Sequence, residues 1–208
     1  METPEVNRYS CAQRQLEPPE GIIMHRITAL LVVLACGLPA VPAGAAEESG
    51  LYSSPAIEGY GKIHPLPKGA YQPDPKETYR VVFAMKAGSN APADVNPAIE
   101  RVARAVNLYV SAGVPLSHLK FVAVAYGQAT SVALDDAHYK AAFGVDNPNL
   151  PVIAKLRKAG VDVAVCGQAV LELKYQYEWI DPSITLAQAA ITTVTTLEHQ
   201  GYSLMPLF

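Results

Sequence analysis

Residues 161–169 read VDVAVCGQA, and their reading decides the fold. Residues 161–165 are a short, mostly apolar, β-branched run, the pattern of a strand inside a covered sheet. The run ends at Cys166, and Gly167 and Gln168 open a helix that passes through Leu173. A strand that runs directly into a helix is the repeating unit of an α/β sheet, so the rest of the chain is read for further copies.

Upstream, residues 79–85 (YRVVFAM) form a β-rich and almost continuously apolar first strand. Val95, Ile99, Val102, Ala103, Val106 and Val110 then recur at helical spacing, with Asp94 as candidate cap, Pro97 in the first turn and Gly113 past the end. Residues 119–126 are a second buried strand. A helical stretch over 130–143 follows and breaks at Gly144. Asn149 and Pro151 open another helix, with Val152, Leu156 and Ala159 inward and Gly160 as its stop.

Downstream, the helix after Cys166 is expected to run on toward Trp179 and to end before Pro182. Residues 184–197 carry an apolar stripe at Leu186, Ala190, Val194 and Leu197 and are assigned to a helix, although the β-branched run 191–196 also fits a strand. A last strand covers 202–207. This alternation of strands with helices predicts a three-layer, mainly parallel sheet, with no internal repeat.

The N-terminal third reads differently. After Met24, His25 and Arg26 precede an apolar run, and Ala43-Gly44-Ala45 supplies a small-residue cleavage signal. Residues 24–45 are therefore expected to be a signal peptide, residues 1–23 an over-extended start, 46–78 an extended arm rich in Pro, Gly and Tyr, and 79–208 the α/β domain. The uncharged run 27–46 is long enough to span a bilayer, but Gly37, Pro39, Pro42 and Gly44 interrupt it. Residues 33–36 loosely resemble a lipoprotein box ending at Cys36, with Leu34 a poor fit. Cleavage after Ala45 is the favoured reading, giving a periplasmic or secreted protein without a membrane span in its mature form.

Composition excludes some functions. The chain has 16 Lys+Arg against 19 Asp+Glu, and its basic cluster Lys155, Arg157 and Lys158 lies on one predicted helix. Nucleic acid is therefore not an expected partner, because phosphate contacts need clustered cations. The histidines His64, His118, His138 and His199 show no metal-ligand spacing, so neither metal nor cofactor is expected. Asp135-Asp136 reads as a helix start and Trp179 as core. No Gly-x-Ser-x-Gly elbow supports hydrolase chemistry.

What chemistry remains centres on the ends of the strands, where parallel sheets bind ligands. The first strand ends at Lys86, the second at Tyr126-Gly127 and the third at Cys166-Gly167-Gln168. With these strands side by side, Lys86, Tyr126 and Cys166 line one crevice. Cys166 is the one cysteine of the mature chain, so no internal disulfide is expected. At a helix start, the free backbone N–H groups and the helix dipole favour its thiolate. The same position also suits a small buried apolar residue, and spacing alone leaves both readings open.

Several pieces together resemble the DsrE/DsrF-like family, and specifically its exported branch. They are Asp146-Asn147-Pro148-Asn149, Ala159-Gly160-Val161 leading to Val165-Cys166-Gly167-Gln168-Ala169, residues 79–83, residues 127–130, Gly201-Tyr202, and the arm pieces Gly59-Tyr60-Gly61-Lys62 and Pro65-Leu66-Pro67. The resemblance implies a five-stranded flavodoxin-like sheet, a homotrimer or hexamer, and a role in sulfur metabolism. In cytoplasmic relatives the matching cysteine carries persulfide sulfur in a relay. Cys166 inherits that candidate role, with a sulfur donor or acceptor protein, or a small sulfur compound, as partner. Relatives often place His where this chain has Tyr126, and a phenol is no substitute for imidazole as a base near neutral pH. The competing expectation is a non-enzymatic oligomer that binds a small ligand or a partner's tail.

Overall fold

The structure, a computed structural model, describes residues 52–208. The expected signal segment, its cleavage site, Cys11 and Cys36 lie outside these residues.

Five strands form one all-parallel sheet in the order β4-β3-β2-β1-β5. They are β1 (Tyr79–Met85), β2 (Leu119–Ala125), β3 (Asp162–Cys166), β4 (Thr185–Ala187) and β5 (Ser203–Leu207). The helices are α1 (Pro97–Ser111), α2 (Asp136–Phe143), α3 (Leu150–Lys158), α4 (Gly167–Glu172) and α5 (Ala190–His199). The expected three-layer α/β architecture is the observed one.

The strand order explains the layers. From β1 to β4 the chain steps in one direction across the sheet, and right-handed crossovers keep those helices on one face. There, Ile99, Val102 and Val106 of α1, Val152, Ile153 and Leu156 of α3 and Val170 of α4 pack on Phe83, Met85, Phe121, Val163 and Val165. From β4 the chain must travel back past three strands to β5, so its crossover lies on the opposite face. That crossover is α5, whose Ala190, Val194 and Leu197 meet Val82, Val124, Ala164 and Cys166. One helix thus covers this face, and Leu204, which pairs with Val82 there, and Ile191 of α5 itself stay exposed.

Local differences from the sequence reading have physical causes. The cap of α1 is Asn96, whose side chain accepts the Ala98 N–H at 2.8 Å, and Asp94 stands outside the helix. The stretch expected as one helix over 130–143 is a 3₁₀ segment, Gly127–Ala133, followed by α2. Leu134 breaks it by taking an extended conformation and bridging Ile180, after which Asp135 caps α2 through the His138 N–H. Helix α4 stops well short of Trp179 because Lys174 adopts φ 61°, a left-handed conformation that ends the helix. β4, three residues long, lies inside the segment assigned to a helix. It is an edge strand with exposed Thr185 and Leu186, so it lacks the apolar run that marks a buried strand.

The arm folds back on itself, with Ser53 and Ile63 exchanging backbone hydrogen bonds at 2.9 Å. Its tip is fastened to the helical face. Asn107 on α1 accepts the N–H groups of Ala56 and Ile57 at 2.9 and 2.8 Å and donates to the carbonyls of Tyr60 and Gly61. Ile57 is fully buried in the main core, which contributes about 1.5–3 kcal/mol before ordering costs. Glu100 accepts the Gly61 N–H at 2.6 Å, and Lys155 on α3 donates to the Glu58 carbonyl at 2.7 Å.

Among the described residues, no helix is long and apolar enough to cross a membrane.

Candidate site at the carboxyl edge of the sheet

Sheet register decides which strand-end residues can meet. Met85 pairs with Ala125 and Ala125 with Val165, so Lys86, Tyr126 and Cys166 stand in one row across three adjacent strands. Side chains alternate between the faces of a strand, and Met85, Ala125 and Val165 belong to the α1/α3 face. The row one residue on therefore points toward α5. Cys166 lies in the α5-side cluster, and Tyr126 packs against the same cluster.

Cys166 is 6 % exposed and is the free cysteine among the described residues. It occupies the N-cap of α4, and its Sγ accepts the Ala169 N–H at 3.5 Å, satisfying one of the helix's unpaired donors. The strand-to-helix turn read from the sequence is thus a cap made by sulfur.

Beside it lies the topological switch point. The chain leaves β3 toward the α1/α3 face and leaves β4 toward the α5 face, and β3 and β4 are neighbours. Crevices form where adjacent connections diverge in this way. Here the crevice is narrow. Cys166 pairs with Ala187, and a Cβ on Gly167 would sit 3.0 Å from the Ala187 carbonyl oxygen. Gly167 thus suits this close approach, which a side chain could keep only if the β4 carbonyl gave way by a few tenths of an ångström. Gln168 closes the opening further, its Nε2 donating to the Gln188 carbonyl at 3.2 Å. Its amide is directed at the β4–α5 connection rather than the thiol.

Lys86 and Gly127 form a separate pair at the ends of β1 and β2. The Ala129 N–H donates to the Lys86 carbonyl at 3.0 Å, and Gly127, at φ 55°, faces the Lys86 side chain. Lys86 is exposed, and neighbouring strands are spaced about 4.8 Å apart. With β2 between them, its backbone stands about 10 Å from that of Cys166. Lys86 belongs to the row but not to the thiol's immediate packing.

A buried asparagine relay holds these loops together, and site reasoning from the sequence missed it. Asn149 accepts the Asn96 N–H at 2.8 Å and donates from Nδ2 to Asn147 Oδ1 at 2.9 Å. Asn147 donates to the carbonyls of Val132 and Leu134, and Asn96 to that of Ala87. The loops after β1 and β2 are thereby tied to the start of α3. Two asparagines two residues apart before a helix were the available signal. Only the fold shows that they brace other loops and leave their own helix uncapped by a side chain.

Near this edge, His138 Nδ1 lies 2.8 and 2.9 Å from the two carboxylate oxygens of Asp135, so Nδ1 carries the proton. The ring stacks on Trp179 at 4.8 Å, and Trp179 is half-buried beside the core rather than within it. Burial pushes the Asp135 carboxyl up, but the hydrogen bonds from the His138 backbone and ring outweigh it and hold the carboxyl below its ordinary value. Among the described residues, no three His, Cys, Asp or Glu side chains gather where they could hold a metal. A cleft of about 770 Å³ is at the opposite edge of the sheet. It lies between arm residues 64–73 and Tyr79, Leu108 and Tyr109, away from the thiol.

Comparison with known proteins places the fold in context. A solved structure of a protein of unknown function from Methanobacterium thermoautotrophicum is 17% identical, with a TM-score of 0.45, and the match covers 62% of this chain and 99% of that one. No curated protein matches. Residues 79–207, which run from the first residue of β1 to the last of β5, match the model of the DsrE/DsrF-like family, a family generally linked to sulfur metabolism. The chain belongs to the DsrE/DsrF-like family.

Proposed function

We propose that this protein carries sulfane sulfur on Cys166, as a member of the exported branch of its family. The observation that carries the reading is the place of the thiol. It caps α4 at the β3/β4 switch point, with a backbone N–H directed at Sγ. A donor N–H at sulfur stabilises negative charge there, which is the form that reacts.

The step is redox-neutral. The Cys166 thiolate attacks the outer sulfur of a donor persulfide, R–S–SH. A new S–S bond forms at Sγ, the donor's S–S bond breaks, RS⁻ leaves, and the proton stays on the transferred sulfur. Because the thiol is nearly covered, the donor is a small persulfide, or a protein that displaces the Gln188 segment or α5. Tyr126, packed in the same cluster, offers a hydroxyl for a hydrogen bond in place of a histidine base.

The test is intact mass after exposure to glutathione persulfide without reductant. Addition of one sulfur atom to the wild type and none to Cys166→Ser is the expected result. No addition to the wild type, or equal addition to both, leaves an oligomeric binding protein without thiol chemistry as the reading. The same proposal includes export with cleavage near Ala45 and assembly into a trimer or hexamer. N-terminal sequencing of the native protein and light scattering check these two points.

A further inference from the structure

A second cleft opens at the carboxyl edge, and it does not include Cys166. Its volume is about 270 Å³, and it is bounded by the loop after β1, the 3₁₀ segment after β2, α2 and the turn after α4. It lies beyond the ends of β1 and β2, the edge at which parallel sheets take ligands.

Three features show that the cleft is a built one. Its outer loop is pinned, since the Tyr139 hydroxyl donates to the Pro92 carbonyl at 2.9 Å and Asn96 holds Ala87. Gly88 lets the loop after β1 lie close against Gln128, where a Cβ would sit 3.3 Å from Gln128 Cβ and press on it. Its wall is aromatic, with Tyr139 and Phe143 at 4.6 Å between ring centroids and Tyr175 alongside.

The polar groups that line it are neutral, and while the hydroxyls of Tyr139 and Ser131 are spent on backbone carbonyls, three others are not. The side-chain amides of Asn90 and Gln128 and the hydroxyl of Tyr175 make no hydrogen bond among the described residues, and no Asp, Glu, Lys, Arg or His lines the cleft. A charged ligand would lose hydration there without gaining a counter-charge. Each amide presents a donor and an acceptor side by side, which matches a ligand edge that does the same. Aromatic walls favour a flat ligand.

We propose that this cleft binds a small, flat, uncharged molecule through a carboxamide or lactam edge, with Gln128 and Asn90 as the reading groups and Tyr175 as a further hydrogen-bonding group. The volume, just under the usual range for ligand sites, fits a single ring with its substituent. The site stands apart from the thiol, so the fate of the sulfur-carrier reading leaves it untouched.

The probe is nicotinamide, titrated into the full chain and followed by backbone amide shifts. Benzoate serves as the charged isostere and glucose as a non-planar neutral control. Saturable shifts around residues 88–92, 128–131 and 175 are expected, with a Kd on the order of millimolar. Gln128→Ala, at an exposed position, should weaken binding by roughly tenfold without changing Tm, and Tyr175→Phe by a smaller factor. Four results overturn the proposal: no saturation by nicotinamide, equal binding of benzoate, tighter binding of glucose, or unchanged affinity in Gln128→Ala.

Discussion

Asn149 accepts the backbone N–H of Asn96 at 2.8 Å across 53 positions of chain, and both residues are buried. This bond joins the start of α3 to the cap of α1. Asn149→Ala leaves the Asn96 N–H buried and unpaired, which costs about 1–3 kcal/mol. In a domain of this size the expected fall in Tm is roughly 2–12 °C. Thermal unfolding followed by circular dichroism reads it, and an unchanged Tm would remove the relay from the account of stability.

The arm gives a contrast between two glycines. Gly61, at φ 57°, lies so close to α1 that a Cβ would collide with the backbone of Ala103 and Arg104. Gly59, at φ 82°, has nothing within 4 Å of that position. Gly61→Ala should therefore release the arm, and trypsin should cut at Lys62 much faster. Gly59→Ala should cost only about 1–2 kcal/mol of backbone strain and leave Lys62 protected. Equal cleavage of both variants would contradict the docking geometry.

Gln168 tethers the β4–α5 connection beside the thiol through its bond to the Gln188 carbonyl. Gln168→Ala should speed alkylation of Cys166 by iodoacetamide severalfold in the folded protein, with no change once the chain is unfolded. A native rate indifferent to this substitution would mean that the reagent reaches sulfur by another route.

Asp135 sets a pH dependence. Its folded pKa is depressed, so its contribution to stability is fully present above about pH 4, the unfolded carboxylate value. The contribution is lost as pH falls through the lower folded value. Urea midpoints of wild type and Asp135→Asn should accordingly show their full difference from about pH 5 upward and converge in strong acid. A gap that stayed constant down to pH 2 would assign the difference to lost packing instead.

Much of the sheet was legible because its central strands are buried on both faces and therefore announce themselves as apolar runs. β1 was read with its observed bounds, Tyr79–Met85. β4 was not legible, since an exposed three-residue edge strand carries no such run. Lys174 hid the end of α4, because a lysine in left-handed conformation leaves no compositional mark. At the site, the row Lys86, Tyr126 and Cys166 could be read from strand ends alone. The asparagine relay, the Gln168 tether and the cleft around Gln128 could not, for each depends on residues far apart in sequence meeting only after folding.

The single crossover over the Cys166 face has an energetic consequence of its own. That side of the sheet is packed by a small cluster, mostly alanines, whereas the α1/α3 side holds most of the large buried side chains. Helix α5 is therefore expected to lift away at a fraction of the free energy needed for global unfolding, with the main core left intact. Native-state hydrogen exchange should show the amides of Ala190–His199 exchanging through such a local opening well before those of Pro97–Ser111. The thiol thus lies behind the more thinly packed side of the sheet, and the frequency of such an opening would set an upper limit on how fast a bulky donor can reach it from that side.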